Sequence, residues 1–248
     1  MYNKFSQLYD KLVFDIDYDR YADNIFKILK ESGIESGNLL EIACGTGNLT
    51  DKLAASSFDI LAFDNSIEML NEAFPKLIDR GNVNLIMQDM YKFRYKDYSF
   101  DAVVCLLDVI NYIQDDKLLE KLFADVYEGL RDEGVFIFDI NSRYKLKEVL
   151  ADNTLIYEKD NIFYSWENSM DGDLIDFTIN FFVKHENGLY ERIIERQTER
   201  YYSIDRIVTL LEKIGFQSIR YFDEDNFKAY KEGKTQRILF KACKGIKK

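Results

Sequence analysis

Apolar residues recur along this chain with three successive rhythms. Over residues 3–32 the spacing is helical, first at Phe5, Leu8, Tyr9 and Leu12, then at Tyr21, Ile25, Ile28 and Leu29. This predicts two helices. From 38 to 140 short apolar runs alternate with amphipathic stretches. The runs fall near 39–43, 58–63, 83–87, 100–106 and 134–140, and the long helical stretch before the last of them is Asp116–Arg131. Near-continuous apolar strands separated by helices predict a parallel sheet covered on both faces. From about Thr154 to Tyr202 the period becomes two. Phe177, Ile179, Phe181 and Val183 alternate with Asp176, Thr178, Asn180 and Phe182. Turn signals at Lys159-Asp160-Asn161, Asp171-Gly172-Asp173 and Glu186-Asn187-Gly188 divide this stretch into antiparallel strands, about four of them. The helical period returns over Ile204–Ile214 and stops at Gly215. Phe216–Phe222 and Arg237–Cys243 then read as the last two strands.

The chemistry concentrates in Glu41-Ile42-Ala43-Cys44-Gly45-Thr46-Gly47-Asn48, a turn between the first strand of the alternating region and an amphipathic helix, Leu49–Ser56. Glycine there tolerates positive φ and lets backbone approach a ligand. Asp64 follows Gly45 by 19 residues and ends the next apolar run. That spacing places an acid where a nucleotide's ribose diol sits in a βαβ unit. Thr50 stands where a dinucleotide fingerprint needs its third glycine, which argues against a nicotinamide oxidoreductase, and no Gly-Lys-Ser/Thr triplet is present. Glu41 would repel a pyrophosphate and suits a ligand bearing an ammonium or other positive charge.

Composition narrows the field further. The 248 residues fit one α/β domain with an insertion and are 47% hydrophobic, enough for a full core. The net charge of −11 disfavours a nucleic-acid partner, which calls for a basic face. Three scattered cysteines without a C-x-x-C pair read as free thiols in a reducing compartment. The chain has no 18-residue apolar run and no signal-peptide pattern over Met1 to Arg20, so the expectation is a cytoplasmic protein without membrane contact. The single histidine, His185, sits by a hairpin turn, which argues against a His-based hydrolase or a metal site.

Five segments in order over residues 39 to 140 resemble the motifs of class I S-adenosylmethionine-dependent methyltransferases. Glu41 to Gly47 is similar to their acid-x-Gly-x-Gly-x-Gly motif, with Ala43 replacing the first glycine. Phe63-Asp64-Asn65-Ser66 with Met69-Leu70, Gln88-Asp89-Met90, Phe100 to Cys105 leading to Asp108, and Leu130 to Val135 resemble the others. The resemblance implies a doubly wound, mostly parallel seven-stranded α/β sheet closed by an antiparallel hairpin, with a small antiparallel β insertion after the fifth strand. It implies S-adenosylmethionine as cofactor, held by Glu41, Ala43, Gly45, Thr46, Gly47, Asp64, Asn65, Met69, Gln88, Asp89, Met90, Leu106 and Asp108. Residues 1–153 and 203–248 would form the cofactor domain, with about 1–32 as a helical lid. Residues 154–202 would form an acceptor-binding insertion.

The insertion, Asp108 to Ile113 and Tyr9-Asp10 further resemble small-molecule N-methyltransferases acting on amino sugars or glycine. That implies a small-molecule acceptor methylated at nitrogen, with O-methylation, an RNA base or a regulatory module without turnover as alternatives. Candidate catalytic residues are Tyr9, Tyr18, Asn111 and Tyr112. Candidate substrate-binding residues are Asp139 and Asn141, at the end of the fifth strand, and Arg200 from a period-2 row with Arg192 and Arg196. Most have a plainer rival: helix-face core for Tyr9 and Tyr18, capping for Asn111, Asp108, Asp139 and Asn141, and a solvated face for the arginines.

Overall fold

The computed structural model describes residues 5–12, 16–159 and 161–246. Helices α1 (Phe5–Leu12) and α2 (Tyr18–Glu31) precede the alternating region. That region holds β1 (Gly37–Ile42), α3 (Asn48–Leu53), β2 (Phe58–Asp64), α4 (Ile67–Leu77), β3 (Val83–Met87), β4 (Phe100–Cys105), α5 (Asp116–Gly129) and β5 (Leu130–Asn141). The insertion is β6 (Thr154–Lys159), β7 (Ile162–Asp171), β8 (Leu174–Lys184) and β9 (Tyr190–Arg200). Helix α6 (Ile204–Ile214), β10 (Phe216–Asp223) and β11 (Arg237–Lys244) close the fold. Local chemistry sets the helix ends. Asp17, Ser66 and Ser203 cap α2, α4 and α6 by accepting from Arg20 N, Met69 N and Arg206 N at 3.0, 3.2 and 3.2 Å. Gly215 ends α6 at φ 118°.

The main sheet has seven strands in the order β10-β11-β5-β4-β1-β2-β3. All neighbours run parallel except β11, which is antiparallel to both β5 and β10. Period-2 alternation sends each strand's side chains to two buried layers. Leu40, Val103, Phe136, Phe138 and Phe240 pack with Leu122 and Phe123 of α5 and Leu211 of α6. Leu39, Ala102, Val104, Ile137 and Leu239 pack with Ile25 and Leu29 of α2 and Leu53 of α3. One boundary differs from the sequence reading. The helix expected to reach Arg131 stops at Gly129, and β5 starts at Leu130, with a register shift against β4 before Ala102. Gly129 packs so tightly on Tyr95 that a Cβ there would lie 2.9 Å from the Tyr95 carbonyl oxygen.

The four inserted strands form a separate antiparallel sheet in sequence order. Register places Phe181 opposite both Tyr164 and Ile193, and Ile175 opposite Glu199, so these share a face. That face is buried. Ile162, Tyr164, Ile179 and Phe181 pack with Leu8 of α1, while Ile175 and Phe177 pack with Leu146 and Leu150 of a π-helical turn, Lys145–Leu150.

Candidate active site

Strand order reverses between β1 and β4, and ligands of open α/β sheets bind outside the carboxyl ends of the strands at such a point. The turn leaving β1 is left-handed at Ala43, Gly45 and Gly47, with φ of 57°, 55° and 75°. Gly47 has a steric reason besides its φ: a Cβ there would meet Ala73 Cβ and Leu77 Cδ1 at 3.0 Å. Asp64, ending β2, braces the turn. Its Oδ2 accepts from Gly45 N and its Oδ1 from Ser66 N, both at 2.9 Å. A carboxylate offers about four lone-pair positions, so two remain for a diol. Glu41 is 4% exposed, and its Oε2 has no hydrogen-bond partner. Burial pushes its carboxyl up to about 8. A buried acceptor of this kind calls for a donor, and a ligand ammonium meets that need. At the end of β3, Asp89 Oδ1 accepts from Tyr91 N at 2.9 Å while Oδ2 faces Lys92 Nζ at 3.2 Å. Gln88 and Met90 flank it half-buried, Asn65 is exposed beside Asp64, and Met69 packs against the cluster around Leu8.

A second wall rises past β4. Leu106 is buried, and Leu107 and Asp108 follow with φ of 63° and 70°, two consecutive non-glycine residues in the left-handed region. Asp139 holds them there. It is fully buried at the end of β5, with Oδ2 accepting from Leu107 N at 3.2 Å and Oδ1 from Asp108 N at 3.0 Å. Arg237, the first residue of β11, is nearly buried and bridges both acids, at 3.1 Å to Asp139 and in direct contact with Asp108. Tyr21 of α2 also donates to Asp139, at 3.4 Å. Burial pushes Asp108 up, but the charges of Arg237 and Lys145 outweigh it and hold the carboxyl below its ordinary value. Asn141 N donates to Asn111 Oδ1 at 2.8 Å, Asn111 Nδ2 donates to Arg200 O at 2.9 Å, and Asn141 Nδ2 donates to Glu199 Oε2 at 2.7 Å. These bonds join β5, the 3-10 turn Val109–Tyr112 and β9.

Helix α1 lies over the glycine turn. Asp10 Oδ1 accepts from Thr46 Oγ1 at 2.6 Å and Asn48 Nδ2 at 2.9 Å, and Asp10 Oδ2 pairs with Lys76 Nζ at 2.6 Å. Tyr9 is half-buried. Burial raises its phenol, as do Tyr18 and Asp108 nearby. Of the lid expected over about 1–32, residues 1–4 and 13–15 lie outside the described residues.

The structure thus gathers Tyr9, Tyr18, Asp108, Tyr112, Asp139 and Asn141 at one edge, with three corrections to the roles expected of this set and its neighbours. Asp139 was expected to bind substrate, yet its oxygens are taken up by two backbone N–H groups, Arg237 and Tyr21, so it acts as the wall's anchor. Asn111, expected to be catalytic, is fully buried and bonds backbone on two sides. Arg200 points away. It donates to Gln114 O at 2.6 Å and pairs with Asp116 at 3.0 Å, because the even-numbered side chains of β9 lie on the face opposite its buried one. Three site residues escaped the sequence reading: Arg237, Lys145 and Glu199. Glu199 carried a signal, since it falls in register on the same face as Ile193.

Residues 39–134 match the family model described as Methyltransferase domain. The chain is 30% identical over 246 residues to "Putative methyltransferase YqeM" of Bacillus subtilis (strain 168), spanning 98% of this chain and 97% of that one. It superposes on the crystal structure of a S-adenosylmethionine-dependent methyltransferase from Clostridium acetobutylicum ATCC 824 with a TM-score of 0.88, 38% identity and 99% of each chain covered. A glycine/sarcosine N-methyltransferase of Parasynechococcus marenigrum (strain WH8102) is 26% identical over 228 residues, 89% of this chain and 77% of that one. The fold and site define a transferase of the doubly wound α/β class. The chain belongs to the S-adenosylmethionine-dependent methyltransferases, and S-adenosylmethionine is its cofactor. The residues present fit that cofactor: the unpartnered Glu41 oxygen matches its ammonium and the free lone pairs of Asp64 match its ribose diol.

The Glu41 carboxyl gives that fit a pH signature. Protonated below about 8 in the ligand-free protein, it must ionise to meet an ammonium. Affinity for S-adenosylhomocysteine is therefore expected to rise from pH 6 towards 8, by at most about tenfold per unit for one linked proton, and then to level off. Glu41→Gln should flatten the rise. Calorimetry across this range that finds wild-type affinity independent of pH would remove Glu41 from ammonium binding.

Proposed function

We propose that this methyltransferase acts on a small molecule at an amine nitrogen. The observation that carries the reading is a wall of hydrogen-bond acceptors lacking donors. Asn141 Oδ1 is buried without a partner, and beside it Glu199, 4% exposed, receives among the described residues one hydrogen bond, from Asn141 Nδ2. An amine or ammonium supplies donors to both. Charge agrees once Glu199 is ionised: Asp108, Asp139 and Glu199 then face Arg237 and Lys145, three carboxylates against two cations, and a single ligand cation evens the sum. The similarity to a glycine/sarcosine N-methyltransferase supports the same acceptor class. The chain's net charge of −11 speaks for a small molecule over RNA. No described helix is long and apolar enough to cross a membrane, which fits the cytoplasmic location proposed for the enzyme.

When bound, the cofactor supplies a methyl group already activated on a sulfonium. The chain's own task is placement. Glu41 and Asp64 fix the donor, Asn141 and Glu199 fix the acceptor nitrogen, and α1 with the inserted sheet excludes water. Holding two reactants in line is worth roughly 7–11 kcal/mol. Tyr9, Tyr18 and Tyr112 would line the acceptor's path, Tyr112 by way of its hydroxyl bond to Gln197 at 2.7 Å. The test is a methyl-transfer screen over primary amines, amino sugars, amino acids, phenols and a small RNA, with the methylated atom located by mass spectrometry and NMR. Methyl-nitrogen products on small amines are expected. Label on hydroxyl oxygen or on RNA would overturn the reading.

A further inference from the structure

The acceptor wall holds several groups able to take a proton, and the structure separates them by what already occupies each. Asp139 accepts from two backbone N–H groups and from Arg237 and Tyr21. Asp108 is locked against Arg237. Among the described residues, Glu199 accepts a single hydrogen bond, from Asn141 Nδ2 to its Oε2. It is also the group that the inserted sheet places there, from the buried face of β9. An ammonium has no lone pair and cannot attack a methyl group until a proton leaves it.

We propose that Glu199 is the catalytic base of this enzyme, taking the proton from the acceptor's ammonium before methyl transfer, and that Lys145 is the positioning residue that tunes it. This rests on the amine reading above. The balance is simple. One N–H bond of the ammonium breaks, its proton goes to Glu199, and the electron pair stays on nitrogen. That lone pair forms the new N–CH3 bond while the S–CH3 bond pair remains with sulfur. The product carries the positive charge that the sulfonium brought. The proton on Glu199 leaves to solvent when product departs.

The surroundings of Glu199 match that task. Burial and then the negative charge of Asp108 push its carboxyl up to about 8, against the pull of Lys145, Asn141 and Arg237. A base in that range exchanges protons with an amine at little cost near neutral pH. Lys145 opens the π-helical turn after β5. Its ammonium has no ion pair or hydrogen bond among the described residues, and burial, then Arg237, hold it below its ordinary value. Tyr112 completes the set, between Glu199, Asp108 and Tyr9.

The experiment uses the full-length enzyme with S-adenosylmethionine and three probe amines, glycine, ethanolamine and glucosamine, with glycolate, ethylene glycol and glucose as matched oxygen acceptors. For whichever amine turns over, kcat is followed from pH 6 to 10. Wild type should show an acidic limb as the base deprotonates. Glu199→Gln, isosteric with the native side chain, should lose about 10²–10⁴-fold in kcat. It should also lose that limb while keeping S-adenosylhomocysteine affinity within about twofold, which shows the variant is folded. Lys145→Met removes a positive charge beside the carboxyl and should move the limb to higher pH, a displacement that a purely structural lysine would not cause. Should the amine turn over with kcat and limb unchanged in Glu199→Gln, the assignment of Glu199 falls and the amine reading stands. Should the oxygen acceptors carry the methyl group and the amines not, both fall together.

Discussion

Arg237→Met is expected to lower folding stability by about 3–5 kcal/mol, the cost of breaking a buried ion pair from one side. Asp139 is fully buried, Asp108 stands in contact with the same guanidinium, and their carboxyls lie close enough for each to raise the cost of ionising the other. Burial would lower the arginine's own proton affinity, but the two acids more than reverse that. Methionine keeps the volume of the stem and leaves the two carboxyls with Lys145 as their remaining countercharge among the described residues. Arg237→Lys keeps the charge but not the fork, so it should cost less. Urea unfolding of the two variants and of the pair Arg237→Met with Asp139→Asn checks the reasoning. The double variant should recover part of the loss. A loss below about 1 kcal/mol for Arg237→Met would mean that the pair is solvated and weak.

The second large effect concerns the cofactor. Asp64→Ala is expected to weaken S-adenosylhomocysteine binding by about 1.5–3 kcal/mol, the range for hydrogen bonds to a charged group. The side chain has two tasks. Its remaining lone pairs would meet the ribose diol, and its bonds to Gly45 N and Ser66 N hold the glycine turn against the start of α4. Asp64→Asn keeps one acceptor oxygen and should fall between wild type and alanine. Unchanged calorimetric affinity in the alanine variant would rule out a diol contact at this position.

The sequence shows the cofactor shelf far more openly than the opposite wall, for a physical reason. Strand period, glycine spacing and the acid 19 residues on are local patterns, and Glu41, Gly45, Gly47 and Asp64 are brought together by one βαβ unit. The wall has no local signature. Arg237 meets Asp139 across 98 positions of chain, and nothing around either residue announces the partner. On β9 the arginine row at 192, 196 and 200 drew attention to the even face, while the odd face, with Glu195 and Glu199 among its members, is the buried one. Acids on an alternating strand read as solvated until the partners that permit their burial are known. The two positive φ angles at Leu107 and Asp108 are equally silent, because they are imposed by Asp139 from the next strand.

One feature of the sheet also bears on when the enzyme comes into being. The strand β11 sits inside the sheet, between β10 and β5, yet it follows every other strand of that sheet in the sequence. Until residue 237 has been added, β5 has one parallel neighbour and an open edge, and the acids that shape the turn after β4 have no guanidinium between them. The shelf for the methyl donor can therefore assemble early in synthesis, while the opposite wall must wait for Arg237. A nascent chain would acquire affinity for its cofactor before it acquires the geometry to use it, a delay set by topology, since the long-range pairing must come last.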